Sequence, residues 1–136
     1  MILGFKGSYR FLSNFYPCMI TIEGYCFPSV ENAYQAMKTI PMNGAMFEDI
    51  TPGDAKMLGN TVGILRDDWE EVKVGIMEEL LQKKFFDANL RALLLDTGDE
   101  ELVEANNCGD TFWGVCNGEG QNKLGQLLMA IREELK

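Results

Sequence analysis

Apolar residues recur at helical spacing in two long stretches of the chain. In the middle of the sequence, one apolar residue follows another every three or four positions: Trp69, Val72, Ile76 and Leu80. This spacing predicts one buried face of a helix that begins at Asp67 or Asp68 and ends near Phe86. A second stretch of this kind predicts a final amphipathic helix. Its apolar positions are Leu124, Leu127, Leu128, Ile131 and Leu135.

The first third of the chain has features of a short β-hairpin. Residues 19–22 and 25–27 flank the two-residue connection Glu23-Gly24. A connection of this length that contains glycine predicts a tight antiparallel turn. A short third strand is expected near residues 3–5.

A helix is predicted directly after this hairpin. Ser29 is suited to cap a helix that runs from Val30 to about Thr39, and Pro41 helps to end it. At about 100° per residue, the helix divides into two arcs. One arc carries Glu31, Gln35 and Lys38, with Tyr34 at its edge. The other arc is expected to face the core and carries Val30, Ala33, Met37 and Ile40.

Four shorter helices complete the predicted elements. One follows Asn43, and another follows Thr51-Pro52, a capping residue with proline at the first helical position. The remaining two are predicted over residues 88–95 and 100–105. We therefore expect an α+β fold that is mostly helical, in a single domain over residues 1–136, with a small antiparallel hairpin near the N-terminus.

Composition limits the classes of protein that fit this fold. A length of 136 residues suits one domain. The 21 acidic and 12 basic residues give a net charge of -9, which argues against a protein that coats nucleic acid. No apolar run approaches the roughly 20 residues of a membrane helix, so no membrane partner is expected.

The absence of histidine narrows the chemistry further. It excludes Ser-His-Asp and Cys-His catalytic arrangements, so carboxylates, lysine, tyrosine or cysteine must carry any catalysis. The four cysteines form no C-x-x-C pair, so no metal site is expected. Because the sequence starts without an export signal, we expect a cytoplasmic protein whose cysteines are reduced core thiols.

Glu31 and Lys38 are the candidates for catalysis that this pattern indicates. They lie two helical turns apart on one predicted face, so both side chains could point into one cleft. Opposite charges at that distance can hold each other ionised, directly, through Gln35 or through a ligand. The alternative is a solvated helix face on which the backbone dipole stabilises Glu31 near the N-terminus.

Two further segments carry residue types suited to ligands. Residues 13–17, with Asn14 and Phe15, place an amide and two aromatic rings on irregular backbone. Residues 110–122 bring Trp113 and two glycines to the start of the last helix, where amide N–H groups can face a phosphate. Alternatively, Asn122 caps that helix and Trp113 fills the core.

Four segments, taken in order, form a specific pattern. They are residues 11–17 (FLSNFYP), residues 29–38 (SVENAYQAMK), the W-x-x-V-K-x-x-x-M run that begins at Trp69, and a C-terminal set. The C-terminal set contains D-x-F-W-G at 110–114, GQNKLG at 120–125 and LLMAIR at 127–132. Together they resemble the NADAR family, the YbiA-like N-glycosidases, over nearly the whole chain.

The resemblance implies cleavage of the bond between a ribose anomeric carbon and a base nitrogen. Substrates described for the family are phosphorylated riboflavin-pathway intermediates and ADP-ribosylated nucleobases such as guanine. The family's acidic residue and lysine correspond to Glu31 and Lys38, and its two tryptophans correspond to Trp69 and Trp113. Val115 stands where some members carry an aspartate, so we carry over no role of that aspartate.

Two catalytic routes fit these residues. Cleavage of the glycosidic bond builds positive charge on the ribose, which the Glu31 carboxylate can stabilise while it orders a water. Alternatively, the Lys38 amine attacks the anomeric carbon and holds the opened sugar as an imine. Neither route requires a cofactor or a metal.

The expected ligand is a small nucleotide or an ADP-ribosylated base, with an ADP-ribosylated nucleic acid as an alternative. The tryptophans would stack on the base, the sugar or each other, and Arg10 or Lys6 would help Asn122 to hold a phosphate. Candidate substrate-binding residues are Asn14, Phe15, Trp69, Asp110, Trp113, Gly114, Asn122 and Arg10. The competing function is a non-catalytic module that binds ADP-ribose or a related nucleotide.

Overall fold

The computed structural model describes residues 1–61 and 65–136. They form two compact units, one of Asn14–Lys84 and the other of Met1–Ser13 with Phe85–Lys136. Helices dominate, and each sheet within the described residues has two strands. The predicted fold class, α+β and mostly helical with a hairpin near the N-terminus, is confirmed. That the chain is a single domain stays a prediction.

The elements of the described residues are short, apart from two of the helices. The strands are β1 (Ile2–Leu3), β2 (Ile20–Ile22), β3 (Tyr25–Phe27), β4 (Leu102–Val103), β5 (Ala105–Asn106) and β6 (Val115–Cys116). The α-helices are α1 (Val30–Ala36), α2 (Pro52–Gly59), α3 (Trp69–Lys84), α4 (Ala88–Asp96) and α5 (Lys123–Leu135). Two 3-10 helices span Gly7–Leu12 and Gly44–Phe47.

The hairpin of β2 and β3 forms where the sequence predicts it. Ile20 pairs with Phe27, and both side chains are fully buried. Glu23 and Gly24 both have positive φ, as a two-residue turn of this twist requires.

Helix α1 begins at the predicted cap but is shorter and more buried than predicted. The backbone N–H of Asn32 donates to Ser29 Oγ at 3.1 Å. The helix ends at Ala36, before the predicted end at Thr39. All seven of its residues are buried, so the prediction of one core face and one cleft face is wrong. Beyond its end, Ile40 is 58 % exposed, although the pattern placed it in the core.

The burial of α1 follows from the elements that surround it. It packs against α2, α3, β3 and the 3-10 helix of Gly44–Phe47. Its buried residues Glu31, Asn32 and Gln35 each make at least one side-chain hydrogen bond, as most polar groups in a protein interior do. For example, Asn32 Nδ2 donates to the carbonyls of Phe47 and Ile50, each at 2.9 Å.

The other helices of the Asn14–Lys84 unit agree with the sequence. Thr51 Oγ1 accepts a hydrogen bond from Asp54 N and caps α2, which has proline at its first position. The predicted helix after Asn43 is the 3-10 helix of Gly44–Phe47. In α3, the predicted stripe is buried at Trp69, Ile76 and Leu80 and half-buried at Val72.

The unit of Met1–Ser13 and Phe85–Lys136 contains two parallel strand pairs, β1 with β4 and β5 with β6, and differs from the prediction in one element. Strand β1 lies at Ile2–Leu3, near the predicted residues 3–5, and pairs in parallel with β4. The predicted helix over residues 100–105 is wrong, because this segment forms β4 and the start of β5. The reason is pairing with the distant N-terminus: Ile2 N donates to Glu101 O at 2.8 Å, and Gly4 N donates to Val103 O at 2.9 Å.

The two helices of this unit are confirmed. Asp87 Oδ1 accepts hydrogen bonds from Asn89 N and Leu90 N and caps α4. Helix α5 is amphipathic, with Leu124, Leu128 and Ile131 buried and Leu127 and Leu135 half-buried.

All four cysteines carry free thiols. Cys26 and Cys108 are exposed, and Cys18 and Cys116 are half-buried, so the prediction of core cysteines is wrong. Within residues 1–61 and 65–136, no group of three or more acidic or cysteine side chains is arranged to hold a metal ion. In the same residues, no helix is both long and apolar enough to cross a membrane.

Candidate active site

Glu31 is a buried carboxylate near the start of α1. Its residue is 8 % exposed, and its backbone N–H donates to Asn14 O at 3.0 Å. Gln35 Nε2 donates to Glu31 Oε1 at 2.8 Å from one helical turn further along. Donors of this kind are what a carboxylate needs in order to remain charged away from water. The carboxylate is therefore held in a defined direction by its own helix.

Lys38 lies outside α1, two residues after its end. The prediction that Glu31 and Lys38 occupy one continuous helical face is therefore wrong. The backbone after α1 turns away to pair with a later segment, because Arg66 N donates to Lys38 O at 2.9 Å and Thr39 pairs with Leu65.

The structure nevertheless brings the two charged groups into electrostatic reach. Burial lowers the pKa of Lys38 below its usual value of 10.5, while the Glu31 carboxylate acts in the opposite direction. The positive charges of Lys56 and Lys73 lower this pKa further. A lysine with a lowered pKa has a larger neutral fraction near pH 7, and the neutral amine is the nucleophilic form.

The buried ring of Tyr34 lies beside Lys38 and contacts the buried ring of Trp69. The Tyr34 ring lies with its centroid 5.0 Å from that of Trp69, tilted by 57°. Lys38 Nζ lies 5.7 Å from the centroid of Tyr34, within the range of a cation–π contact. Trp69 is 6 % exposed, so its ring is packed against other residues of the protein. That Trp69 stacks on a substrate stays a prediction.

Asn14 and Phe15 lie in the same unit, on the loop that contacts α1. Asn14 Nδ2 lies 3.5 Å from Met77 Sδ, and its Oδ1 is buried without a hydrogen-bond partner among the described residues. Phe15 is 43 % exposed and lines an open groove of about 390 Å³. The rest of the groove is formed by Pro17, Pro28, Glu48, Asp49, Ile50, Thr51 and Pro52.

The other predicted binding residues belong to the unit of Met1–Ser13 and Phe85–Lys136. Asp110 Oδ1 accepts hydrogen bonds from Phe112 N at 3.1 Å and Trp113 N at 2.9 Å. Asp110 thus shapes the turn that presents Trp113, which is half-buried and meets the Phe112 ring edge to face. Arg10 is exposed on the 3-10 helix of Gly7–Leu12.

Gly114 and Asn122 have clear structural roles. A Cβ at Gly114 would overlap the carbonyl of Glu104 and lie 2.6 Å from Asn106 Nδ2. Asn122 Nδ2 donates to Leu102 O, and its Oδ1 accepts from Glu104 N, each at 2.9 Å. Asn122 occupies the N-cap position of α5, but its side chain makes no cap hydrogen bond. That these residues bind substrate stays a prediction.

Sequence reasoning named most residues around Glu31 but missed two contributions. The contact of Tyr34 with Lys38 has a local signal, because the two residues are four positions apart, whereas the contact of Tyr34 with Trp69 has none. The charges of Lys56 and Lys73 have no such signal, since both come from other helices.

Comparison with known proteins identifies the family. The NADAR domain model matches residues 4–136. The chain belongs to the NADAR family. An N-glycosidase of Nostoc punctiforme is 42 % identical over 94 % of this chain and 86 % of its own length. The N-glycosidase YbiA of Escherichia coli K12 is 37 % identical over 93 % of this chain and 82 % of its own length.

Further comparisons extend this relationship to structure and to longer proteins. The NMR structure of E. coli YbiA covers 99 % of this chain, with 84 % of its own chain covered, at a TM-score of 0.85 and 36 % identity. A riboflavin biosynthesis protein of Vibrio vulnificus is 36 % identical over 95 % of this chain, which spans only 36 % of that protein. These relatives confirm the predicted enzyme class, N-glycosidase.

Proposed function

We propose that the chain hydrolyses the N-glycosidic bond between the ribose of a phosphorylated or ADP-ribosylated compound and a nitrogen of its base. In this reaction the C1′–N bond breaks, water supplies a hydroxyl to C1′, and the base nitrogen takes a proton. Membership of a family of N-glycosidases supports the type of bond that is cleaved, and the same chemistry would release a base from an ADP-ribosylated nucleic acid.

The observation that carries the proposal is the partial burial of Lys38 within electrostatic reach of the Glu31 carboxylate. Burial lowers the pKa of Lys38. A nucleophilic amine beside a carboxylate is a combination that can form and release a covalent sugar intermediate. This supports the imine route over direct attack by water.

In the imine route, the neutral Lys38 amine attacks C1′ as the C1′–N bond to the base breaks, and the base leaves with the first of the two protons that the amine loses, relayed through Glu31. The ring C1′–O4′ bond then opens, O4′ takes the second proton lost by the amine, and a Lys38 imine forms. Water then adds to the imine carbon C1′, and the Lys38 amine leaves with the protons it needs, which gives the open-chain aldehyde. The O4′ hydroxyl adds back to C1′, closes the ring and yields the free anomeric hydroxyl. Glu31 would stabilise the positive charge at C1′ and accept the proton of the attacking group.

The proposal includes two candidate substrates, which differ in the base that is released. An ADP-ribosylated nucleobase such as guanine and a phosphorylated riboflavin-pathway intermediate share a ribose linked to nitrogen. The name of the Vibrio relative supports the riboflavin compound. Both compounds are offered to the enzyme, and chromatography measures the free base released from each. The compound that releases its base is the substrate. Absence of release from both compounds would contradict the proposed function.

Single substitutions test the two catalytic residues. Glu31→Gln and Lys38→Ala are each expected to lower the rate of base release at least about a hundredfold, as loss of a catalytic carboxylate or nucleophile does. Glu78→Gln and Lys83→Ala alter exposed residues of α3 and are expected to leave the rate unchanged. If folded Glu31→Gln and Lys38→Ala keep the wild-type rate, the assignment is wrong.

Chemical trapping separates the two routes. Borohydride reduces an imine to a stable secondary amine, so treatment during turnover should add the mass of the sugar to the peptide that contains Lys38. The Lys38→Ala variant is the control and should trap none. Repeated absence of the adduct from an active wild-type enzyme would favour direct attack by water.

A further inference from the structure

The Gln35 side chain is fixed by few interactions, although it is buried. The residue is 3 % exposed, and its Nε2 donates to Glu31 Oε1 at 2.8 Å. Its Oε1 is buried and has no hydrogen-bond partner among the described residues. The direction of the amide therefore depends on the bond to Glu31 and on the shape of the space around it.

That space is made by Gly59 at the end of the neighbouring helix α2. A Cβ placed on Gly59 would overlap Gln35 Oε1 and lie 2.8 Å from Gln35 Cδ and 3.1 Å from Gln35 Cβ. The overlap with Oε1 and the 2.8 Å separation from Cδ are closer than a Cβ comes to other heavy atoms, so the amide would have to move. Because Gln35 is buried against α2, movement of the amide would break its hydrogen bond to Glu31.

We propose that Gln35 is a positioning residue for the Glu31 carboxylate and that Gly59 is required because it leaves room for the Gln35 amide. This inference rests on the proposed function only in giving Glu31 a catalytic role. The donated hydrogen bond favours the ionised carboxylate and fixes its direction toward the sugar carbon. Lys38 also interacts electrostatically with Glu31, from outside α1.

Two substitutions remove this positioning in different ways. Gln35→Met keeps the length of the side chain but cannot donate, and Gly59→Ala displaces the amide without changing it. Each is expected to lower kcat about tenfold to a hundredfold, the range for loss of a hydrogen bond to a charged group. KM is expected to change less than twofold, because neither residue is proposed to touch the substrate.

A double-substitution cycle tests whether Gly59 acts through Gln35. In the Gln35→Ala background the amide is gone, so Gly59→Ala should cause no further loss of kcat. Gly75→Ala in α3 is the matched control, since a Cβ there meets nothing within 4 Å, and it should leave kcat unchanged. An unchanged kcat in Gly59→Ala, or an equal loss in both backgrounds, would overturn the inference.

A measurement without substrate separates this inference from the proposed function. The Glu31 carboxyl can be titrated by ¹³C NMR, and its midpoint should move to higher pH in both Gln35→Met and Gly59→Ala. An unchanged midpoint would overturn the positioning role even if the wild-type chain releases base. Conversely, a chain that releases no base but shows the shift would contradict only the proposed function.

Discussion

The pKa of Lys38 depends on the charges around it as well as on its burial. Burial is the main cause of its lowered pKa, and Lys56 and Lys73 act in the same direction. Glu31 opposes them, because a nearby carboxylate favours the protonated amine. Glu31, Lys56 and Lys73 belong to α1, α2 and α3, and Lys38 follows α1. The pKa of Lys38 therefore depends on how these elements pack.

Removal of single neighbouring charges should move the Lys38 pKa in opposite directions. Glu31→Gln is expected to lower it further, and Lys56→Met is expected to raise it toward 10.5. NMR titration of the lysine side-chain signals measures both shifts. Lys83→Met, on an exposed residue of α3, serves as the control and should produce no shift. Shifts of the same sign in both variants would contradict this electrostatic description.

The lowered pKa also predicts a pH dependence of stability. Between the lowered folded pKa and the unfolded value of 10.5, the unfolded chain binds more protons at Lys38 than the folded chain does. The contribution of Lys38 to the free energy of unfolding therefore rises with pH in this window. Urea unfolding of wild type and Lys38→Met from neutral pH to 10.5 should show wild type gaining relative to the variant. A constant difference would be inconsistent with the shift.

The sequence predicts Glu31 and Lys38 as the catalytic candidates, but it does not describe their geometry. The family motif names both residues, and helical spacing suggested that they meet. The end of α1 at Ala36 could not be read from this spacing, because it accompanies pairing of residues 38–39 with residues 65–66. The contact of Trp69 with Tyr34 likewise joins two helices that are distant in sequence.

Among the helices of the described residues, α1 alone is buried along its whole length. Seven residues are too few for a helix to be stable alone, so its stability comes from its cap and its neighbours. The cap is Ser29, which is fully buried and accepts from Asn32 N. Because Glu31 lies two residues after Ser29, the start of this helix also sets the position of the carboxylate.

Loss of the N-caps Ser29 and Thr51 should lower the stability of the chain by different amounts. Ser29→Ala is expected to destabilise the chain by about 1–2 kcal/mol, or about 3–8 °C in Tm, because the orphaned Asn32 N–H is buried. Thr51→Ala removes the exposed cap of α2 and should cost about 0.5–1 kcal/mol. Thermal unfolding followed by circular dichroism compares the two. An equal loss would argue against a special contribution of burial at Ser29.

Predictions for whole elements succeeded where the pattern was local. The caps Ser29 and Thr51, the hairpin turn and the apolar stripe of α5 all act within a few residues. The prediction failed for residues 100–105, whose strand β4 exists because it pairs with Ile2–Leu3 about a hundred residues away. No local pattern encodes such a partner.

For the molecule as a whole, the main physical property is its negative charge. The net charge of -9 repels phosphorylated ligands at long range, so the favourable contacts with substrate must be local. Salt screens such repulsion, since the Debye length falls from roughly 30 Å at 0.01 M to about 8 Å at 0.15 M.

The KM for a phosphorylated or ADP-ribosylated substrate should therefore fall as salt is raised from about 0.01 M to about 0.15 M. A neutral nucleoside with the same base is the control, and its KM should not change. Steady-state kinetics at both ionic strengths measures the KM of each substrate. A KM that rises with salt for the anionic substrate would indicate that local positive charge outweighs the overall repulsion.

The complete burial of α1 has a consequence for mutational scanning. Residues 29–36 should tolerate few substitutions of any kind, so intolerance alone does not mark Glu31 as catalytic. Measuring both the cellular abundance and the turnover of each variant separates loss of stability from loss of catalysis. Substitutions at Asn32, which ties the helix to Phe47 and Ile50, should lower both quantities. Glu31→Gln should lower turnover while abundance is retained.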